Sequence, residues 1–555
     1  MTETTDDAPA RVINARVRPG GPLTDIHIAD GRIAALRPSA DRRPGRQPTG
    51  GETFDADGHL ALPGLWDAHL HMVQWASTRR RIDLSGASSA RHAARTMAEA
   101  LTGATALTAA TALTGATALT GATAPSPAVA GRRRVEPLIG YGFRDARWPD
   151  RPDPALLAWA GDHPVALVSG DLHVVWVNTA ALRLIGPGPA GDDDGPVGAG
   201  PSSYGPDGAV LREGDAIAAA ERLALADAAT IDQWVGEALA TAASRGVTGI
   251  TDFEHADNIT DWTRRAASGP MPARVICGIY PQFLDAAIDA GLRTGAVLPQ
   301  TGGMARVGAQ KLFVDGSLNA RTALCNHPYP PPANGPAPAD GTTRAGGGAS
   351  RGVLVNDPDE LRERMARAAA HGIESAVHAI GDRANTIALD LFYELGCPGR
   401  IEHAQLIDRA DLPRLARPGL TVGIQPAHIP DDRDIADRHW AGRTDRAYAF
   451  ADMARAGARL EIGSDAPVSA LDPWVGIAAA VFRTVDARPG WHVEQALALD
   501  DALAAAARGR RGIAPGDPAD LLITGTDPAT CDAAQLREMP VAATMTAGRW
   551  THRTA

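Results

Sequence analysis

Between residues 59 and 506 the chain alternates short apolar runs of β type with alanine-rich helical stretches, and few architectures accommodate such a pattern. The β-type runs fall at 59–62, 164–169, 247–252, 273–279, 309–314, 374–378, 400–402, 421–424 and 459–462. Helical stretches fall at 232–244, 357–371, 383–395, 446–456 and 493–506. A strand followed by a helix, repeated, makes a parallel sheet covered by helices. Enough units are present to close an α/β barrel of the (β/α)8 TIM type.

The two ends of the chain read differently. Residues 11–17, 25–28 and 32–36 alternate apolar and polar side chains, with Asp30-Gly31 as a hairpin turn. Residues 520–524 and 542–546 do the same, with a turn at Gly548-Arg549. The expectation is a small β-sandwich domain built from both termini, 1–62 with 508–555, flanking a barrel at 63–507. An insertion at about 80–240 follows the first barrel strand. Within it, residues 100–123 are four near-identical hexapeptides of the form ALTGAT, read as a tract expansion in a loop or helix. Residues 187–208 and 330–352 are rich in Pro and Gly and read as surface loops. The triplet Asp192-Asp193-Asp194 in the first of these is read as solvated.

Composition narrows the function. Of 555 residues, 44% are hydrophobic and 21% charged, as in a folded globular protein. The net charge of −11 argues against a nucleic-acid partner, because phosphate binding needs a basic surface. The four cysteines are scattered without a CxxC pair, so neither a disulfide framework nor a thiolate zinc site is indicated. No signal-like segment opens the chain, and no apolar run reaches the ~18 residues that span a membrane. The expectation is a cytoplasmic protein with no membrane partner.

Among the 54 basic residues, Lys311 is the single lysine. Arginine keeps its proton in any protein, whereas lysine can lose it, so a position that retained lysine is a candidate for amine chemistry. Lys311 lies in an apolar strand run. Elsewhere, 62–71 carries an apolar stretch into His69-Leu70-His71. Side chains two apart on a strand share a side, so these imidazoles can share a divalent ion. His378, His403 and Asp465 each sit where another apolar run ends. If these strands lie in one parallel barrel, their C-terminal ends converge.

In this order, the motifs resemble the metal-dependent hydrolases of the amidohydrolase superfamily, in the amidohydrolase-3 branch of YtcJ-like and N-substituted-formamide-deformylase-like proteins. The stretches that carry the resemblance are PGLWDAHLH (63–71), DLHVVWVNTAAL (171–182), AVLREGD (209–215), RGVTGITDFE (245–254), KLFVDGSLNARTA (311–323), HAIGDRA (378–384), RIEHAQL (400–406), IQPAH (424–428), GSDAPV (463–468), GIAPGDPADLLI (512–523) and AGRW (547–550). Asn319-Ala320 departs from the Gly-Ser usual there.

The resemblance implies that His69, His71 and Asp465 hold one metal and that His378 and His403 complete the site or hold a second. It implies that Lys311 is an N6-carboxylated lysine or at least a metal ligand, and that the cofactor is one or two divalent ions, zinc foremost. Asp465 is expected to be the catalytic acid–base, with His173 and His428 as candidates for oxyanion or substrate contact. The expected reaction is hydrolysis of a C–N bond in a small N-acyl or N-formyl amide, with a homodimer as the assembly to test. The alternatives are an ester or lactone hydrolase, a deaminase that would not need Lys311, and a non-catalytic barrel module.

Overall fold

The computed structural model describes residues 11–39, 52–114, 137–145, 148–170, 172–186, 203–212, 214–223, 226–330 and 350–554. They fall into two compact units, one drawn from 1–76, 229–331 and 349–555, the other from 77–228.

At the centre of the first unit are eight parallel strands: β1 (Leu65–Leu70), β2 (Val247–Asp252), β3 (Arg274–Ile279), β4 (Ala305–Phe313), β5 (Ser375–Ala379), β6 (Gly399–His403), β7 (Leu420–Ile424) and β8 (Arg459–Ile462). Each neighbours the next in chain order. A parallel bridge between Leu70 and Ala466, just beyond β8, brings the first and last strands together, so the barrel is nearly closed.

The alternation of side chains decides what faces where. Val377, Ile401 and Val422 point outward and pack with Leu361, Met365, Leu389, Phe392, Trp474 and Ile477 from the surrounding helices. Each such side chain fully buried contributes about 1.5–3 kcal/mol. His378, Arg400 and Glu402, one position away, take the opposite face. The helix Pro358–Ala370 shows how the local sequence sets its bounds. Asp357 caps its start by accepting from the Asp359 amide, and Pro358 occupies the first turn, where no amide is needed.

Seven of the runs expected as strands form β2 to β8, with shifted bounds. The other two lie elsewhere. Residues 59–62 fall largely in Leu60–Pro63, a strand of the terminal sheet, and β1 follows after Gly64. The run at 164–169 corresponds to Val165–Ser169, in the second unit. Apolar content marked both as buried strands but could not say in which sheet.

Strands from both ends of the chain join in one eight-stranded hydrogen-bonded sheet. Its seam is the antiparallel pairing of Leu60–Pro63 with Leu521–Thr524. Val12, Ile26, Ile28, Leu521, Ile523 and Met545 form its core. Asp30 (φ 50°) and Gly31 (φ 68°) make the hairpin turn, both in the left-handed region that a two-residue turn of this type requires. Its counterpart at the other end is Ala547-Gly548, one residue earlier than the sequence indicates.

The second unit holds a six-stranded sheet that includes Leu138–Phe143, Val165–Ser169, Val174–Asn178 and Gly208–Arg212. Both faces are covered. Leu167, Trp176 and Val210 pack on one side, and Val168, Val175 and Leu211 on the other. The first copies of the hexapeptide extend the helix Ala90–Thr114, while 115–123 lie outside the described residues. Most of 187–208, with its aspartate triplet, and most of 330–352 lie outside them too. No helix among the described residues is long and apolar enough to cross a membrane.

Candidate active site

At the C-terminal rim of the barrel, four imidazoles lie side by side. Ring centroids are 5.7 Å apart for His71 and His69, 5.0 Å for His69 and His403, and 4.4 Å for His403 and His378. His69 and His71 come from the end of β1, His403 and His378 from the adjacent strands β6 and β5, and the two pairs share the rim because the barrel curves round on itself. Asp465 enters from the turn after β8. Its Oδ1 is 3.5 Å from His69 Nε2 and 3.3 Å from His71 Nε2. Lys311 rises from β4 and places Nζ 3.2 Å from His69 Nε2. The rings of Phe253 and Phe313 flank that amine, with centroids at 4.7 and 5.3 Å. All six residues expected at the metal site therefore meet at one rim.

The backbone bends sharply here. His403 (φ 78°), Ala404 (φ 44°) and Asp465 (φ 55°) all occupy the left-handed region, which costs a side chain about 1–2 kcal/mol per residue. Strain of this kind persists where the surroundings enforce it. Behind Asp465, a Cβ on Gly463 would lie 2.6 Å from the His69 amide nitrogen. The β8 turn can come this close to β1 only without a side chain at that position.

The electrostatics follow from burial. Lys311 is 1% exposed. Desolvation brings its amine down from 10.5 to about 8, although Glu402 and Asp465 pull the other way. Desolvation, with Lys311 adding to it, lowers His69 to about 4, so its ring is neutral at pH 7. Burial would raise Asp465, but the imidazoles around it, His69 first, outweigh this and hold it well below the usual carboxylate range. A neutral imidazole and an ionised carboxylate are the ligand forms a divalent ion needs.

The donor set fits such an ion. His69, His71 and Asp465 each offer a ligand atom, and these atoms all lie within 4.8 Å of one another. The Nδ1 atoms of His71 and His403 are buried with no hydrogen-bond partner among the described residues. Oxygen and imidazole donors together suit zinc and similar metals.

The sequence model of the amidohydrolase family, Amidohydro_3, matches residues 52–552, nearly the whole chain. The chain belongs to the amidohydrolase family. Over 536 residues it is 26% identical to the YtcJ protein of Bacillus subtilis, with 90% of each chain covered. It is 24% identical over 571 residues to the N-substituted formamide deformylase of Arthrobacter pascens, with 97% of each covered. Its fold matches a crystal structure of a metal-dependent hydrolase from Pyrococcus horikoshii at a TM-score of 0.70 and 23% identity, covering 95% of this chain and 99% of the other.

In this amidohydrolase, His428 lies in the short turn after β7. Its Nε2 is 3.3 Å from the Ser464 carbonyl oxygen and 3.9 Å from Asp465 Oδ2. His173 belongs to the second unit, immediately before the strand Val174–Asn178. Several residues that hold the centre in place are absent from the sequence-based set. Asp67 accepts from the amides of His69 and Ser464 and so ties β1 to the β8 turn. Asp315 accepts from the amides of Leu324, Ile380 and Gly381 and fixes the chain just beyond His378. Burial pushes the Asp315 carboxyl up to about 7, against those three bonds. Glu402 accepts from His69 Nδ1 at 2.8 Å. The signal for Glu402 was available in the alternation of Arg400 and Glu402, two charges on one face of a buried strand.

Proposed function

We propose that this amidohydrolase cleaves the C–N bond of a small N-acyl or N-formyl amide. His69, His71 and Asp465 would hold a divalent ion, zinc foremost. His378, His403 and an N6-carboxylated Lys311 would complete that site or hold a second ion. The observation that carries the reading is the meeting of the solitary lysine with four imidazoles and one aspartate at the rim. The formamide deformylase among its relatives supports the choice of bond.

When bound, the ion lowers the pKa of water toward ~7 and polarises the substrate carbonyl. The remaining work belongs to the chain. With an amine pKa near 8, about one-tenth of Lys311 is neutral at pH 7, enough to attack CO2 and release a proton as the N–C bond forms. The carboxylate so made is one that arginine cannot supply. Asp465 takes the proton of the attacking water and returns it to the leaving nitrogen, a role typically contributing ~10²–10⁴-fold. His428, whose Nε2 lies 3.9 Å from Asp465 Oδ2, would donate toward the oxygen on which charge develops. His173 keeps, by resemblance, a part in substrate contact. The same reading gives a cytoplasmic enzyme without nucleic-acid or membrane partners. Its described cysteines are all unpaired, in keeping with a reducing compartment.

The test is a hydrolysis screen of purified protein against formamides, N-acyl amino acids, carbamates and lactones, with metal content measured on the same sample. Release of amine with one or two zinc-like ions per chain supports the reading. Absence of metal from protein grown in metal-replete medium would leave the barrel as a non-catalytic module. Lys311→Arg separates the hydrolase from a deaminase: the hydrolase loses metal and activity, and a deaminase keeps both.

A further inference from the structure

Beneath the rim, the barrel interior is ionic where aliphatic side chains usually fill it. At the start of β8 the exposed Arg459 donates inward through Nη2 to the buried Glu461 Oε1 at 3.0 Å. Arg400 donates through Nη1 to Glu461 Oε2 and through Nε to Glu402 Oε1, both at 2.6 Å. Its Nη2 reaches the Ala68 carbonyl oxygen, next to His69, at 3.5 Å. The second carboxylate oxygen, Glu402 Oε2, faces His69 Nδ1 at 2.8 Å. A Cβ on Gly423 of β7 would lie 2.0 Å from that oxygen, so glycine there makes room for it. Glu402 is fully buried, as is most of Arg400. Charges in such a place are costly to desolvate, and a well-packed apolar pair would serve stability as well.

We infer that Arg400 and Glu402 are positioning residues that fix the tautomer of His69. Arginine is a donor at every polar atom, so it forces an acceptor atom of residue 402 toward itself. The carboxylate then offers its other oxygen to Nδ1, which must carry the ring proton. The lone pair of His69 is left on Nε2, facing Asp465 and Lys311. Carboxylates behind metal-bound imidazoles act in this way in other proteins. The addition here is the arginine, which prevents residue 402 from turning round.

This rests on His69 being a metal ligand and leads to an outcome that a merely structural ion pair would not give. In Glu402→Gln, the amide oxygen must face Arg400. The amide NH2 then faces Nδ1, so the ring proton moves to Nε2 and blocks the ligand atom. Zinc affinity, measured on the full chain by competition with a chromophoric chelator, is expected to fall about 10- to 100-fold. In the double variant Arg400→Met with Glu402→Gln, the amide is free to flip and present its oxygen to Nδ1. Zinc affinity should recover over the single variant, although the double variant has lost more of the network. Far-UV circular dichroism and the thermal midpoint of the metal-free proteins report folding independently. Wild-type zinc affinity in folded Glu402→Gln overturns the inference, as does a folded double variant that binds no better than the single one. If the double variant does not fold, the single variant alone decides. A wild-type chain that binds no zinc would instead sink the metal reading on which the inference stands.

Discussion

At the scale of a single residue, burial sets the charge of Lys311. Its amine titrates near 8 in the folded chain and near 10.5 when exposed, so between these values the unfolded chain holds a proton that the folded one does not. Stability of the metal-free protein must therefore rise with pH across that window. Denaturant titration of chelated protein at pH 7.5 and 9.5 should show a gain of roughly 1–3 kcal/mol that Lys311→Met lacks. His428 makes a different prediction. Its ring is placed near Asp465 without belonging to the three-ligand cluster. His428→Ala should leave metal content unchanged and lower kcat by about 10²-fold. Loss of metal in that variant would mean that His428 is a ligand.

At the scale of strands and turns, the site depends on close approach. Gly463 lets the β8 turn lie against the backbone of His69, and a methyl group there would have to push the two apart. Gly463→Ala is expected to cost about 1–3 kcal/mol and to weaken metal binding, both read by thermal melting with and without zinc. Wild-type melting would show that the turn can give way. Much of this level was legible in the sequence. His69, His71, Lys311, His378, His403 and Asp465 could be picked out because each ends or interrupts an apolar run. β1 was harder to see, since Trp66 and Asp67 break its apolar pattern, and Leu60–Pro63 looked equally like a barrel strand. The run at 164–169 was read as a strand within the insertion, but which sheet it joins was not legible, because pairing partners are a tertiary property. Arg400 and Glu402 escaped because two charges alternating along a short strand look, without the barrel around them, like a solvent-facing face. Their role depends on β1, β6 and β8 meeting inside one ring.

At the scale of the whole molecule, the proposed metal would be linked to the fold. An ion bound only by the folded state stabilises it by about 4 kcal/mol at a free concentration a thousand times its dissociation constant. Dialysis against a chelator should lower the melting temperature of this amidohydrolase, and zinc should restore it. An unchanged melting curve would contradict a rim held together by a shared ion. The terminal sheet has a consequence of another kind. Leu60–Pro63 is synthesised early, yet its antiparallel neighbour is Leu521–Thr524. While the ribosome works through the intervening residues, that early strand has an open edge and must be kept from pairing with strangers. Native closure of this clasp waits until residues 521–524 have emerged from the ribosome, so the unpaired edge persists through the synthesis of the whole stretch between its two halves.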